Sequence, residues 1–305
     1  MVPFHEPVLL KESIDFLVTD LSATYVDATF GGGGHTRELL SRLNSGAKVI
    51  AFDVDEHAKQ NADRFFSQDG RFSFVEKNFS EIRNVFDDIN IISAAGFLFD
   101  LGVSSYQLDN EPGFSYRRDE KLDMRLDKDL KTSAYDVINS YDVEELSAVF
   151  GKYGEEPRSR LLAKAIVKRR GKNNIETTSE FVEIIGKVCG SSAKTLARIF
   201  QALRIEVNNE LNSLFSGLKA AIDMTSLGGR IVVISYHSLE DRIVKERFKY
   251  EAATCVCPPQ AIVCTCGKTA RARILTRKPI SPSRDEVLRN RRARSAKMRA
   301  IERIA

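Results

Sequence analysis

Two short segments near the N-terminus constrain the fold most strongly. The first is an apolar run, Tyr25–Ala28, that leads into four consecutive glycines, Gly31–Gly34. The second, Lys48–Asp53, is an apolar run that ends in an acid. In an open α/β sheet, ligands bind at the carboxyl ends of the strands, and glycine brings backbone close to a ligand because it has no Cβ. The two segments predict a pocket for a nucleoside, in which Asp53 accepts hydrogen bonds from the ribose hydroxyls.

The glycine loop lacks the residues that bind phosphate. A dinucleotide fingerprint requires glycine at its sixth position, and the sixth residue counted from Gly31 is Thr36. A P-loop requires a lysine after its glycines, and none occurs between Val26 and Arg37. The loop therefore disfavours NAD and favours an adenosine cofactor without phosphates, of which S-adenosylmethionine is the common one.

The composition is that of a globular protein. The 305 residues are 43% hydrophobic and 29% charged, and no apolar run approaches the length of a membrane span. Met1–Lys11 lacks the basic and apolar regions of a secretory signal. We therefore expect a cytoplasmic protein without membrane contact and without disulfides. Its oligomeric state is left open.

The positive charge is concentrated near the C-terminus. Lys268–Ala305 contains thirteen Lys and Arg against three acids, whereas the net charge of the whole chain is only +4. Such a segment is either a solvated or disordered end of the chain or a contact for a polyanion. Beside a cofactor pocket it favours nucleic acid as substrate, because Lys and Arg contacts to phosphates dominate such binding.

Strands and helices alternate as far as Asp100, which predicts a parallel sheet with right-handed crossovers. The predicted strands are Tyr25–Ala28, Lys48–Asp53, Phe72–Glu76 and Gly96–Asp100. Residues 105–207 show only helical spacing of apolar residues, which predicts an all-helical insertion. The sheet resumes with Gly228–Ser235, and Arg273–Thr276 is predicted as a late strand.

These transitions predict four segments. They are a core in two parts, residues 1–104 and 208–282, a helical insertion for substrate recognition, residues 105–207, and a basic C-terminal segment, residues 283–305. The spacing predicts one helix over Ala193–Phe215. Ser283 and Glu286 have the spacing of a capping box, which predicts that the basic segment begins as a helix.

Several distinctive motifs are distributed along almost the whole chain. They are His5 with Pro7–Leu10, Thr29–His35, Asp100–Asp109, Gly113–Ser115, Leu122–Asp127, Tyr153–Glu156, Phe200–Leu211, His237–Arg242 and Arg292–Arg299. In these motifs the chain resembles the bacterial small-subunit ribosomal RNA cytosine-N4 methyltransferases.

The resemblance implies a function and a fold. It implies S-adenosylmethionine-dependent methylation of the N4 amine of a cytidine in the decoding centre of 16S ribosomal RNA, within the small ribosomal subunit. It implies a class I (Rossmann-like) α/β methyltransferase sheet with a helical domain inserted after strand four. It also implies that the cofactor is held by Gly33, Gly34, His35, Asp53, Phe79, Asp100 and Gln107.

For several individual residues, the sequence is consistent with either a functional or a structural role. Asp100 is expected to be catalytic, because a carboxylate that accepts an amine N–H helps the nitrogen lone pair to localise for attack. Ser104 and Ser105 are candidates to hold the base or to stabilise a turn. His237 contacts the substrate or caps a helix, and Phe79 stacks on the adenine or fills the core. Asp55 is expected to be a helix N-cap.

Four cysteines lie close together near the C-terminus, as Cys255, Cys257, Cys264 and Cys266. Zinc sites favour cysteine pairs separated by two to four residues, and here each pair has one residue between its members. The spacing favours inert thiols in a flexible surface loop; no metal is predicted, and whether these cysteines bind one is left open.

Two other functions compete with RNA methylation. DNA amino-methyltransferases typically carry Asp/Asn-Pro-Pro-aromatic after strand four, whereas this chain has Asp100-Leu101-Gly102-Val103. A non-catalytic, nucleoside-binding RNA chaperone would lack some of the pocket residues, and all are present here.

Overall fold

The structure, a computed structural model, describes residues 7–103, 105–261 and 263–305. The chain forms two compact units, one of Met1–Gly102 with Leu211–Ala305, the other of Val103–Glu210. The expected helical insertion, residues 105–207, falls within the second unit. How the chain divides in function stays a prediction.

The described residues contain seven strands and thirteen α-helices. The strands are β1 (Thr24–Asp27), β2 (Lys48–Asp53), β3 (Phe72–Glu76), β4 (Ala94–Asp100), β5 (Thr225–Ser235), β6 (Ala272–Ile274) and β7 (Lys297–Arg303). The helices are α1 (Leu10–Leu17), α2 (Gly34–Arg42), α3 (Glu56–Phe65), α4 (Ile82–Asp88), α5 (Ser105–Asn110), α6 (Ala134–Ser140), α7 (Val143–Lys152), α8 (Ser159–Arg170), α9 (Thr178–Cys189), α10 (Ala193–Val207), α11 (Glu210–Met224), α12 (Ser238–Ala252) and α13 (Arg284–Arg289). None of these helices combines the length and the apolar character that a membrane span requires.

All seven strands belong to one sheet in the first unit, in the order β3-β2-β1-β4-β5-β7-β6. Strands β1 to β5 are mutually parallel, and β7 is antiparallel to both of its neighbours. Strands β2 and β4 are apolar and buried along most of their length, as is typical of parallel strands covered by helices on both faces; in β4 only Asp100 is not buried. The predicted α/β class and Rossmann-like sheet are confirmed.

The basic C-terminal segment is part of the sheet. No strand was predicted in residues 283–305, yet Lys297–Arg303 forms β7 and pairs with β5 from Arg230↔Glu302 to Ser235↔Lys297. The strand holds because Met298, Ala300 and Ile301 are buried. The predicted helix start is confirmed, since the Ser283 side chain accepts from the Glu286 N–H at the start of α13.

The second unit is helical and has its own core. Its centre includes a row of three aromatic rings, with centroids 6.1 Å apart for Phe150 and Phe181 and 5.6 Å apart for Phe181 and Phe200. Capping boxes begin α6, α7 and α9, at Ser133, Asp142 and Thr177. These caps satisfy backbone N–H groups that a helix start leaves unpaired.

The single helix predicted over Ala193–Phe215 is in fact two. Helix α10 ends at Val207, and Asn209 then adopts a left-handed φ of +50°. The Asn208 side chain accepts from the Leu126 N–H and donates to the Met124 carbonyl. These bonds hold Asn208 to another part of the chain and end the helix there. Apolar spacing continues through the break, which is why it did not reveal the break.

Candidate active site

Three strands bring polar groups to one edge of the sheet. β1 lies between β2 and β4, and all three run in the same direction. Their carboxyl ends therefore meet, with Asp27 ending β1, Asp53 ending β2 and Asp100 ending β4. The glycine loop follows β1 at the same edge. This juxtaposition is what the sequence predicted for a ligand pocket.

Asp53 is anchored by backbone donors. Its Oδ2 accepts from the Gly31 N–H at 2.7 Å, and its Oδ1 accepts from the N–H groups of Val54 and Asp55 at 2.8 and 3.0 Å. A carboxylate has about four acceptor sites, so these bonds leave one on Oδ2 for a ribose hydroxyl. Burial raises the pKa of Asp53 to about 6, even though the backbone bonds lower it.

Asp55 has a different role from Asp53. It is the N-cap of α3, and its side chain accepts from the His57 N–H at 2.9 Å. The cap satisfies one of the unpaired N–H groups at the helix start. The N-cap role expected for Asp55 is confirmed.

Two glycines of the loop are required by packing inside the protein. Gly33 has a left-handed φ of +74°, and a Cβ there would lie 2.7 Å from the Phe66 ring and 2.8 Å from the Phe30 ring. A Cβ on Gly34 would lie 2.9 Å from Pro7 Cγ. These Cβ positions are filled by the protein's own side chains, so the need for glycine does not itself point to a ligand. Backbone contact of Gly33 and Gly34 with the cofactor stays a prediction.

The His35 ring is buried and its tautomer follows from its partner. Nε2 lies 3.1 Å from the Val8 carbonyl oxygen. That oxygen can only accept, so Nε2 carries the proton. Burial lowers the pKa of His35, which keeps the ring neutral. Nδ1 then presents a lone pair 3.6 Å from Asp100 Oδ2, and two facing acceptors at this distance are suited to share a donor such as an ammonium or amine N–H.

Asp100 is oriented by a residue that the sequence analysis missed. The Tyr236 hydroxyl donates to Asp100 Oδ1 at 2.7 Å, and burial raises the pKa of Tyr236 well above its ordinary value. Tyr236 follows β5 as Leu101 follows β4, and β4 and β5 are neighbours. The polar residue just after β5 was therefore a signal that could have identified it.

A second residue that the sequence analysis missed is an acid, Asp27, at the end of β1. Asp27 is fully buried, and burial raises its pKa. Its two oxygens accept from the Thr36 hydroxyl at 2.7 Å and from the Thr29 N–H at 3.2 Å. The Thr29 hydroxyl in turn accepts from the Asp100 N–H at 2.6 Å. This chain of bonds fixes the backbone at the end of β4 relative to the glycine loop.

Phe79 and Gln107 are placed by their local structure. Phe79 begins a 3₁₀ turn after β3, is half-buried, and meets the Phe99 ring edge-on with centroids 5.6 Å apart. Gln107 lies in α5 of the second unit and is buried. Stacking of Phe79 on the adenine and a cofactor contact from Gln107 stay predictions.

The two remaining catalytic candidates have different outcomes. His237 is the N-cap of α12, with a capping box in which its side chain accepts from the Glu240 N–H. The structure thus gives His237 the capping role, and a contact with substrate stays a prediction. Ser104 lies outside the described residues, and Ser105 begins α5.

The chain is similar to known methyltransferases over nearly its full length. The model of the MraW methylase family matches residues 3–304. Ribosomal RNA small subunit methyltransferase H of Caldicellulosiruptor saccharolyticus is 47% identical over 304 residues, which cover 98% of this chain and 99% of the relative. The enzyme of the same name from Carboxydothermus hydrogenoformans is 45% identical over 307 residues, covering 99% and 98%.

A third relative, the enzyme of the same name from Clostridioides difficile, is 43% identical over 98% of this chain and 99% of its own length. The family resemblance, the enzyme class and the cofactor expected from the sequence are confirmed. The chain belongs to the MraW methylase family of S-adenosylmethionine-dependent methyltransferases.

Proposed function

We propose that this protein methylates the N4 amine of a cytidine in 16S ribosomal RNA, within the small ribosomal subunit in the bacterial cytoplasm. The similarity to enzymes named small-subunit ribosomal RNA methyltransferases supports the substrate class. The observation that carries the choice of an amine is the Tyr236–Asp100 pair, which holds a carboxylate at the end of β4.

The residues at the sheet edge fit S-adenosylmethionine. Asp53 Oδ2 has an acceptor site for a ribose hydroxyl, and His35 Nδ1 with Asp100 Oδ2 suits a shared donor. The loop 31–34 has no lysine for phosphate. Acceptors without a phosphate-binding cation match a cofactor that has hydroxyls and an ammonium but no phosphates. When bound, S-adenosylmethionine supplies an electrophilic methyl group on a sulfonium that is a good leaving group.

The protein's task in the reaction is mainly to position the amine. The N4 lone pair of cytosine is delocalised into the ring and must localise before it attacks carbon. The Asp100 carboxylate favours localisation of the lone pair by accepting a hydrogen bond from the N4–H group. The Tyr236 hydroxyl holds the carboxylate in place. In-line alignment of nitrogen, methyl carbon and sulfur is the remaining requirement, and such positioning is worth several kcal/mol of the barrier.

RNA is bound in part by a basic surface of the first unit. Arg291, Arg292 and Arg294 are exposed on a 3₁₀ turn, Arg291–Ser295, that buried Ala293 anchors. We call these three residues the arginine turn. Phosphate contacts of this kind supply affinity without reading sequence, so we assign recognition of the target site to the helical unit, Val103–Glu210.

The test is methyl transfer from labelled S-adenosylmethionine to small subunits from cells that lack the enzyme. Mass analysis of the nucleosides should show N4-methylcytidine at one position in 16S ribosomal RNA, and none when Asp100→Asn replaces the wild type. Transfer to duplex DNA instead would favour a DNA amino-methyltransferase. Tight binding of the subunit with no transfer by the wild type would favour the chaperone alternative.

A further inference from the structure

Four thiols that the sequence analysis treated as inert converge in space. The ligand atoms of Cys255, Cys257, Cys264 and Cys266 all lie within 4.8 Å of one another. They occupy the long connection between α12 and β6, at the opposite end of α12 from His237. None of them takes part in the site at the carboxyl ends of the strands.

The distances match a tetrahedron around one ion. Four sulfurs at about 2.3 Å from a zinc ion lie about 3.8 Å from one another. Cys264 Sγ lies 3.5 Å from Cys255 Sγ, 3.6 Å from Cys266 Sγ and 3.9 Å from Cys257 Sγ. The distance between Cys255 and Cys266 is 3.8 Å. Only one residue separates the two cysteines of each pair, but the fold places the two pairs side by side, so that all four sulfurs can surround one ion.

Backbone donors support sulfur in its thiolate form. The Val256 N–H donates to Cys266 Sγ and the Cys257 N–H donates to Cys255 Sγ, each at 3.4 Å. These bonds stabilise negative charge on two of the four sulfurs, as outer-shell hydrogen bonds do in metal sites. A disulfide would require two of the sulfurs at about 2.05 Å, and all four cysteines are free in the structure.

We propose that Cys255, Cys257, Cys264 and Cys266 bind one structural zinc ion. Four protein thiolates complete its coordination and leave no open position, which is typical of a structural rather than a catalytic site. Binding releases the thiol protons to solvent. An iron–sulfur cluster is disfavoured because its cysteines bind several separate irons, whereas these sulfurs surround a single point.

The ion would order a connection that has little other internal support. Val256 and Val263 are 46% and 70% exposed, so these two apolar side chains give the segment little support by burial. The connection leads into Arg271, whose N–H donates to the Glu251 carbonyl near the end of α12, and then into β6. A zinc ion in the loop would fix the path from α12 to the outer edge of the sheet.

The test is the metal content of the reduced, full-length protein, purified without chelator and dialysed against metal-free buffer. We expect about one zinc per wild-type chain and almost none in Cys264→Ser, which replaces a thiol that lies 3.5–3.9 Å from each of the other three. Cys189→Ser is the matched control, because Cys189 lies in α9 of the second unit; it should retain the wild-type content.

Two further measurements keep the proposal falsifiable if Cys264→Ser fails to fold. Cobalt exchanged into the wild type should show the intense visible absorption of tetrahedral thiolate cobalt. When a mercurial reagent titrates the thiols, the amount of zinc released should rise in proportion to the number of thiols that have reacted. The proposal would be overturned if the wild-type protein contained no zinc, contained iron in its place, or had a disulfide among these cysteines as measured by mass. Equal loss of zinc in Cys189→Ser would also overturn it.

Discussion

The Tyr236 hydroxyl donates a hydrogen bond of 2.7 Å to Asp100 Oδ1. Asp100 ends β4, and Tyr236 directly follows the neighbouring strand β5. Gly102, with a φ of +106°, keeps the space beside the tyrosine ring open, since a Cβ there would lie 3.2 Å from Tyr236 Cδ2. The chain therefore turns away from β4 without displacing the ring. Positioning of the Asp100 carboxylate, which we propose to be catalytic, therefore depends on the loop after β4 and on the residue after β5.

Tyr236→Phe should reduce methyl transfer while cofactor binding changes little. A hydrogen bond to a charged group contributes about 1.5–3 kcal/mol, so we expect kcat to fall about ten- to a hundredfold when the Asp100 carboxylate loses this bond. Single-turnover transfer and calorimetry with S-adenosylmethionine separate the two effects. Tyr250→Phe, at an exposed tyrosine of α12, is the control. Unchanged kcat in Tyr236→Phe would exclude a positioning role.

Cofactor affinity should rise with pH through the pKa of Asp53, which burial raises to about 6. The carboxylate is the better acceptor for a ribose hydroxyl, and it predominates only above that pH. If only the ionised form binds tightly, Kd at pH 5 should be about tenfold higher than at pH 7. Calorimetry across this range tests the prediction. The dependence should disappear in Asp53→Asn, which keeps the shape but cannot ionise; a variant that retains it would show that another group is responsible.

Arg299→Ala should destabilise the first unit by about 1.5–3 kcal/mol, because it removes the bidentate partner of the largely buried Asp241 carboxylate and leaves it only Lys297 Nζ, 3.6 Å from Oδ2. The Arg299 guanidinium bonds to Asp241 at 2.6 and 3.2 Å, and the two side chains are 11% and 13% exposed. Urea unfolding provides the measurement. Arg273→Ala is the control, since Arg273 pairs with Glu302 on the neighbouring strand but is 64% exposed, and exposed pairs are worth under about 1 kcal/mol. Equal effects of the two variants would contradict the argument.

Charge reversal in the arginine turn should weaken RNA binding and flatten its salt dependence. Arg291→Glu and Arg294→Glu, made singly, should each reduce the slope of log K against log salt by about one unit for every phosphate that the variant no longer neutralises. Filter binding to small subunits at several salt concentrations measures this. Lys48→Glu makes the same charge change at an exposed residue at the start of β2, away from the carboxyl ends. A slope unchanged in the arginine variants, or reduced equally by Lys48→Glu, would remove the turn from the RNA interface.

The parts of the fold that sequence could predict are those in which one local pattern decides the structure. β2 and β3 have the predicted bounds because each is a short run between turn residues. β7 escaped prediction because Lys297, Arg299 and Arg303 made the segment read as a basic tail. Its burial depends on β5 and on the partner that Arg299 finds in Asp241, neither of which local sequence displays.

The residues of the candidate site and the thiol cluster also separate into those that local sequence predicts and those that depend on distant parts of the chain. Asp53 and Asp100 could be identified because an acid at a strand end is visible in the sequence. Tyr236 could be recognised only with the knowledge that β4 and β5 are neighbours, and the four thiols only with the path of a long connection. The break at Asn208 depends on bonds to residues more than eighty positions earlier in the chain.

The position of β7 between β5 and β6 has a consequence for biosynthesis. Among the described strands, β6 pairs with β7 alone, and one edge of β5 is covered by β7 alone. While the chain is made from its N-terminus, β5 and β6 are both complete before Lys297–Arg303 exists. During that interval the nascent chain exposes an unpaired strand edge, which is a template for association with other chains. A ribosome that stalls within this interval would therefore release a species prone to aggregate, and not simply an inactive enzyme.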